Sequence, residues 1–150
     1  LPVNYNYTKT KNYVDIDCLP LYPFGYGLSY SEFDFSDFDV KPATLEDIKN
    51  GGCIEISVTV KNTSSVAGKA VPQLYIHRRG GTVSHRNKEL KGFEKVALSA
   101  GEEKRVTFSI GYDDLKELSI NKKYEIFSQE IKLMIGGSSR NIVFEDNIKI

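Results

Sequence analysis

The chain has 150 residues, with 20 Lys plus Arg balanced by 20 Asp plus Glu, so its formal net charge is zero. That length suits one domain, able to bury roughly 68–70% of its unfolded surface and so to hold a core without staples. Balanced charge argues against a nucleic-acid or anionic-membrane partner, and no apolar run approaches the roughly 18–20 residues of a membrane helix.

Residues 1–30 are irregular and aromatic. Of 9 Tyr and 8 Phe in the chain, seven fall here: Tyr5, Tyr7, Tyr13, Tyr22, Phe24, Tyr26 and Tyr30. Pro2, Pro20, Pro23, Gly25 and Gly27 interrupt any helical or strand period. The chain opens on Leu1, with no basic-then-apolar leader, which together with the aromatic excess suggests a piece of something larger.

Alternation begins at Ser31. Phe33 and Phe35 share one parity while Phe38 and Val40 share the other, so a bulge is expected near Ser36–Asp37. Thr44 is a candidate cap for one helical turn ending at Asn50-Gly51-Gly52. Ile54, Ile56, Val58 and Val60 alternate with polar residues in the clearest strand of the sequence. After a polar loop at 62–68, Val71 to His77 reads as a strand with Pro72 at its start, and Arg78-Arg79-Gly80-Gly81 turns the chain. Glu89 to Leu98 is expected as one strand, and Val106, Phe108 and Ile110 mark another. Tyr112 to Leu118 reads as a short turn, Tyr124 to Ile135 as one interrupted strand or two, and Asn141 to Ile150 as the last. About seven short strands spaced by turn signals, with no helical period, predict an all-β sandwich over residues 31–150 behind an irregular aromatic lead-in at 1–30.

Chemistry is sparse. His77 and His85 lack a motif that places a partner carboxylate, and no Cys/His spacing suggests a metal; no cofactor is expected. Cys18 and Cys53 read as small buried hydrophobes rather than a disulfide. Glu32 and Asp34 lie about 6.5–7 Å apart on one strand face, near the spacing of glycosidase carboxylates. Without a desolvating pocket, however, they read as the strand's wet side. Asn6-Tyr7-Thr8 and Asn62-Thr63-Ser64 match the glycosylation acceptor pattern. Arg78, Arg79, Arg86, Lys88, Lys91 and Lys95, broken by Glu89 and Glu94, read as a solvated face.

Pro20-Leu21-Tyr22-Pro23-Phe24-Gly25-Tyr26-Gly27-Leu28-Ser29-Tyr30 resembles the segment leading into the C-terminal domain of family 3 glycoside hydrolases, the β-glucosidases and their relatives. Further likenesses follow in order at Val58–Thr63, Ala67-Gly68, Val71–Tyr75, Lys88–Val96, Gly101-Glu102 and Ile135–Ser139, and span nearly the whole chain. The sequence departs from the family at Arg86-Asn87 and at Tyr124 to Glu130. The resemblance implies a fibronectin type III-like (immunoglobulin-like) sandwich. It also implies that the nucleophilic aspartate and the acid/base glutamate lie on upstream domains, so no catalytic residue carries over to this chain.

On this reading the chain is a non-catalytic accessory domain whose partners are the catalytic domains of the same parent, a β-glucosidase or β-xylosidase. Tyr5, Tyr7, Tyr13, Tyr22, Phe24, Tyr26 and Tyr30 are the interdomain-packing candidates, each able to bury about 150–250 Å². Left uncovered, the same segment would favour self-association of the isolated chain. The alternative is a carbohydrate-binding or adhesion module with tyrosines as stacking platforms; the absence of Trp tilts against it.

Overall fold

The structure, a computed structural model, describes residues 32–80, 88–127 and 129–150. Cys18, His85, Arg86 and the Asn6 acceptor motif lie outside the described residues, as do the seven aromatic candidates between Tyr5 and Tyr30.

Two antiparallel sheets face each other. In one, β1 (Phe33–Lys41) and β7 (Glu103–Ile110) flank β2 (Ile54–Asn62). The other has the order β11 (Ile142–Lys149), β10 (Glu130–Gly136), β4 (Gln73–Arg79), β5 (Glu89–Phe93). These seven strands match the expected sandwich. Two small ladders add to them: β3 (Gly68–Ala70) with β6 (Val96–Leu98), and β8 (Glu117–Leu118) with β9 (Tyr124–Glu125). Ile54, Ile56, Val58 and Val60 of β2 are fully buried and meet Leu74, Ile76, Ile131, Leu133 and Ile135 of the facing sheet in one core cluster. No helix among the described residues is long and apolar enough to cross a membrane.

The phase slip in β1 is a bulge. Register with β2 shifts between Ser36 and Asp39, and Asp37 takes a left-handed φ of 51°, a conformation Asp tolerates better than most residues. The extra residue lets Phe33 and Phe35, then Phe38 and Val40, all pack on the core. Phe38 also stacks on Phe144 of β11, centroids 5.3 Å apart, which ties the edges of the two sheets together. The capped turn is α1 (Leu45–Lys49). Asp47 N–H donates to Thr44 Oγ1 at 3.2 Å, and the Thr44 hydroxyl donates to Asp47 Oδ2 at 2.6 Å. This hydroxyl, with the Thr44 backbone N–H, holds the Asp47 carboxyl below its ordinary value.

Glu89 to Leu98 is two strands rather than the one expected. Glu94 N–H donates to the carbonyl of Pro72, which has no N–H to return. The ladder ends there, and after Glu94-Lys95 the chain crosses to pair with β3, a three-residue strand between the expected loop at 62–68 and Val71 that the sequence reading did not assign. Inside β5, a Cβ on Gly92 would lie 2.8 Å from the Phe108 ring, so glycine permits the close approach of the sheets. Tyr124 to Ile135 divides into β9 and β10, the second of the two forms anticipated.

The basic residues do not form one solvated face. Arg78 continues the inward parity of Leu74 and Ile76, and its side chain is 11% exposed. Its guanidinium grips both oxygens of Glu89 at 2.9 and 2.8 Å and reaches Glu117 Oε1 at 3.5 Å. This nearly dry ionic cluster closes the end of the core beside α2 (Tyr112–Leu115), whose Leu115 carbonyl accepts from Arg78 at 3.4 Å. Lys88 is partly buried and donates to the Ser139 carbonyl. Arg79 and Lys95 remain exposed, as expected.

Three measurements probe this construction. Removing Arg78 strands two carboxylates in a dry site, so Arg78→Ala should cost about 3–5 kcal/mol in urea unfolding. Arg78→Met combined with Glu89→Leu and Glu117→Leu should recover most of that loss. A Cβ on Gly136 would lie 1.9 Å from the Asn141 carbonyl oxygen, whereas Gly137 has only an ordinary contact at 3.7 Å. Gly136→Ala should therefore cost at least about 1–3 kcal/mol, while Gly137→Ala stays within about 0.5 kcal/mol. Because the Asp47 carboxyl is lowered on folding, its contribution to stability is present above the ordinary carboxylate range and is lost as pH falls through its folded value. Thr44→Ala should move the Asp47 titration, followed by NMR, upward to its usual range.

Candidate interdomain surface

The surface of interest is the outer side of the four-stranded sheet. Side chains alternate across a strand, and directly paired residues share a face. Leu74 and Ile76 of β4, like Leu133 and Ile135 of β10, point into the core. Tyr75 and Met134, paired with each other, must therefore point away from it. They extend a row that runs Leu90, Tyr75, Met134, Glu145 across β5, β4, β10 and β11. A neighbouring row holds Phe93, Gln73 and Gly136.

An outward Tyr and Met would ordinarily be wet. Here Tyr75 is 0% and Met134 2% exposed, although neither belongs to the sandwich core. Part of the cover is local. The Tyr75 hydroxyl donates to Gln73 Oε1, and Gln73 Nε2 donates to the Gly137 carbonyl at 3.1 Å. Lys88 meets the next turn of chain at Ser139, and Ser138 and Ser139 are buried there. Lys132 and Glu145 pair at 2.6 Å along the flank. They bear on Lys88 in opposite senses, yet its burial is the largest influence and lowers its pKa. At the edge Phe93 is 68% exposed. The face is thus an apolar centre with a charged border, and the sequence carries its signal. Leu74-Tyr75-Ile76 and Leu133-Met134-Ile135 are continuous apolar runs, the mark of strands buried on both sides.

A second apolar surface sits on the β8–β9 hairpin, where Leu118 and Tyr124 are about half exposed and Ile120 at the tip is 87% exposed. The Tyr112 hydroxyl donates to the Tyr124 carbonyl at 2.9 Å, and Lys116 lies 5.1 Å from the Tyr124 ring centroid. The hairpin is braced, so its apolar tip is held outward rather than collapsed.

The other candidates fall into place. Glu32 and Asp34 are exposed, and the Glu32 carbonyl accepts from the Thr63 N–H, the wet strand side anticipated for them. His77 is half-buried on the outer face, opposite Lys132. Among the described residues, no group of three or more His, Cys, Asp or Glu could hold a metal ion. Cys53 is half-buried.

Asn62 overturns one reading of the sequence. It is fully buried, its amide donating to the carbonyls of Val66 at 2.8 Å and Leu98 at 3.1 Å. Its Oδ1 accepts from the Ser64 N–H and hydroxyl at 3.0 and 2.7 Å. Every polar atom of the side chain is committed to joining two loops, so the folded protein offers no glycan acceptor at this position.

Comparison with known proteins fits this geometry. A family model described as the fibronectin type III-like domain matches residues 70–139. The thermostable β-glucosidase B of Acetivibrio thermocellus is 40% identical over 149 residues, covering 99% of this chain and 19% of that protein. A putative β-xylosidase of Formosa agariphila is 46% identical over 129 residues, covering 86% of this chain and 17% of that protein. Among solved structures, the β-glucosidase of Listeria innocua in complex with isofagomine superposes with a TM-score of 0.81 at 36% identity, over 92% of this chain and 19% of its own. The GH3 β-glucosidase of Bifidobacterium adolescentis gives a TM-score of 0.78 at 30% identity, over 86% of this chain and 18% of its own. The chain thus spans about a fifth of the length of these relatives. Two facing antiparallel sheets, matched nearly end to end within much larger enzymes, lead to one conclusion: the chain belongs to the fibronectin type III-like domains of the family 3 glycoside hydrolases, of which it forms a small, non-catalytic accessory part.

Proposed function

We propose that this domain packs against the catalytic domains of a β-glucosidase or β-xylosidase and stabilises them, leaving the hydrolysis to residues outside this chain. The observation that carries the reading is the match itself: nearly all of this chain aligns with a β-glucosidase of which it covers 19%. The interdomain anchors are Tyr5, Tyr7, Tyr13, Tyr22, Phe24, Tyr26 and Tyr30 of the 1–30 lead-in, whose rings combine apolar area with a polar tip. The braced hairpin tip at Leu118, Ile120 and Tyr124 suits the same role, since a rigid exposed apolar patch is typical of an interaction surface. Without those neighbours, the isolated chain would associate with itself through the aromatic segment.

The purified chain should neither hydrolyse aryl β-glucosides or β-xylosides nor bind cello- or xylo-oligosaccharides saturably in a calorimetric titration. Saturable binding abolished by Tyr22→Ala or Tyr26→Ala would establish a carbohydrate-binding module instead. In the full-length enzyme, about five times the length of this chain, Tyr5→Ala, Tyr7→Ala and Tyr13→Ala together should lower the thermal midpoint, by about 0.5–1 °C for each kcal/mol of packing lost, with KM unchanged.

A further inference from the structure

The turn that ends α1 carries a chemistry that the accessory role does not use. We propose that Asn50-Gly51 is a self-modification site, where the side-chain amide of Asn50 is lost and the peptide bond isomerises whenever the turn opens. Of the chain's nine asparagines, only Asn50 is followed by glycine, whose missing Cβ leaves the next backbone nitrogen unobstructed. That nitrogen gives its proton to water and attacks Cγ of Asn50. The Cγ–Nδ2 bond breaks, ammonia leaves, and a five-membered imide remains. Water then opens the imide at either carbonyl. One path leaves aspartate in the original chain. The other leaves isoaspartate, whose backbone runs through the former side chain and is one methylene longer. In sum one water is consumed, one ammonia is released, and nothing is oxidised or reduced.

The fold exposes this site and restrains it at once. Asn50 is exposed, and a Cβ on Gly51 would meet nothing within 4 Å, so the backbone there stands open to water. The restraint is conformational. Asn50 has a ψ of 10°, which turns the Gly51 nitrogen away from Cβ, whereas the imide ring needs the two on the same side. The Gly51 N–H donates to the Ile48 carbonyl at 3.2 Å, and the Gly52 N–H donates to the Asp47 carbonyl at 2.8 Å. These bonds satisfy the last carbonyls of α1, and the first holds the hydrogen that the attack must remove. Closing the imide therefore requires the turn to open. α1 has only five residues, and such an end opens at far lower cost than the core strands. Isoaspartate cannot rebuild the turn. Its extra methylene displaces Gly52 from a place without slack, where a Cβ would already lie 2.9 Å from the Asp47 carbonyl oxygen. Either product also sets a new carboxylate one turn after Glu46, an unfavourable like-charge pair. The damage reaches inward, because Ile48 of the same turn is fully buried in the core.

Peptide mass mapping of the full 150-residue chain, held in mildly alkaline buffer, tests this directly. In the folded chain Asn50 should be converted before any other asparagine, and isoaspartate, counted by enzymatic methylation, should outnumber aspartate. Urea unfolding should raise the Asn50 rate by at least about tenfold, since every molecule then has the turn open. In the isoaspartate form, the Gly51 and Gly52 amide hydrogens should exchange at least about tenfold faster, while those of Ile54 to Val60 stay protected. Another asparagine reacting first in the folded chain would overturn the proposal. So would an Asn50 rate unmoved by urea, or an isoaspartate form that keeps its Gly52 protection. Asn50→Gln, which must close a larger and slower ring, should silence this peptide; amide loss that persists there at the original rate would also overturn the assignment. Where the isolated chain does not unfold cooperatively, the same peptide followed in the full-length enzyme carries the same outcomes.

Discussion

A strand that is apolar on both sides cannot sit at the outside of a two-layer protein. That constraint governs the middle of this fold, where Leu74-Tyr75-Ile76 and Leu133-Met134-Ile135 lie side by side in β4 and β10. Their inward residues form one wall of the core; their outward pair is equally dry. Burying a Tyr and a Met on the far face adds apolar stabilisation of about 1.5–3 kcal/mol for the Met alone. Part of that burial comes from the turn at 137–140 and the Lys88 side chain, which close over the Gly136 end of the face. The other sheet follows the ordinary rule, since β7 alternates exposed residues with the buried Val106, Phe108 and Ile110.

The remaining devices keep the two sheets in register around that centre. The Asp37 bulge turns both pairs of β1 aromatics inward, and the Phe38–Phe144 stack closes the edge where β1 meets β11. Gly92 lets β5 approach Phe108. At one end, Arg78 gathers carboxylates from β5 and β8, whereas at the other Asn62 holds two loops by its amide. An ionic plug and an amide staple solve the same problem, the exposed ends of a slab-shaped core, and in the staple every polar atom of Asn62 is bonded. Buried polar clusters of this kind favour one arrangement over its neighbours more than they add to stability.

Much of this is visible in the amino-acid order. The Ile/Val alternation fixes β2, the change of parity between Phe35 and Phe38 locates the bulge, Thr44 and Asp47 announce the capped turn, and Pro72 precedes β4. What escapes is what depends on distant partners. Arg78 looks like a surface base because Glu117 lies 39 positions away. The Glu89–Leu98 run keeps its strand character through the change of sheet, since propensity does not say which neighbour a strand will find. β3 is three residues long and too short to leave a period. The dryness of Tyr75 and Met134 was legible as a continuous apolar run, yet alternation is the more familiar signal and masks it. The aromatic candidates of the lead-in are marked by composition, because seven rings in thirty residues exceed what a linker of Gly and Pro requires.

Asn62 carries a practical consequence for producing this protein. Its Asn-Thr-Ser triplet remains an acceptor for as long as the chain is unfolded, and glycan transfer in a eukaryotic secretory pathway acts on chains that have not yet folded. A sugar attached there would occupy the space that the Val66 and Leu98 carbonyls fill. Modification and folding are therefore competing fates of one side chain. A yeast or insect secretion host would divide the product between a native form and a glycosylated form unable to close the loops, whereas bacterial expression avoids the branch altogether.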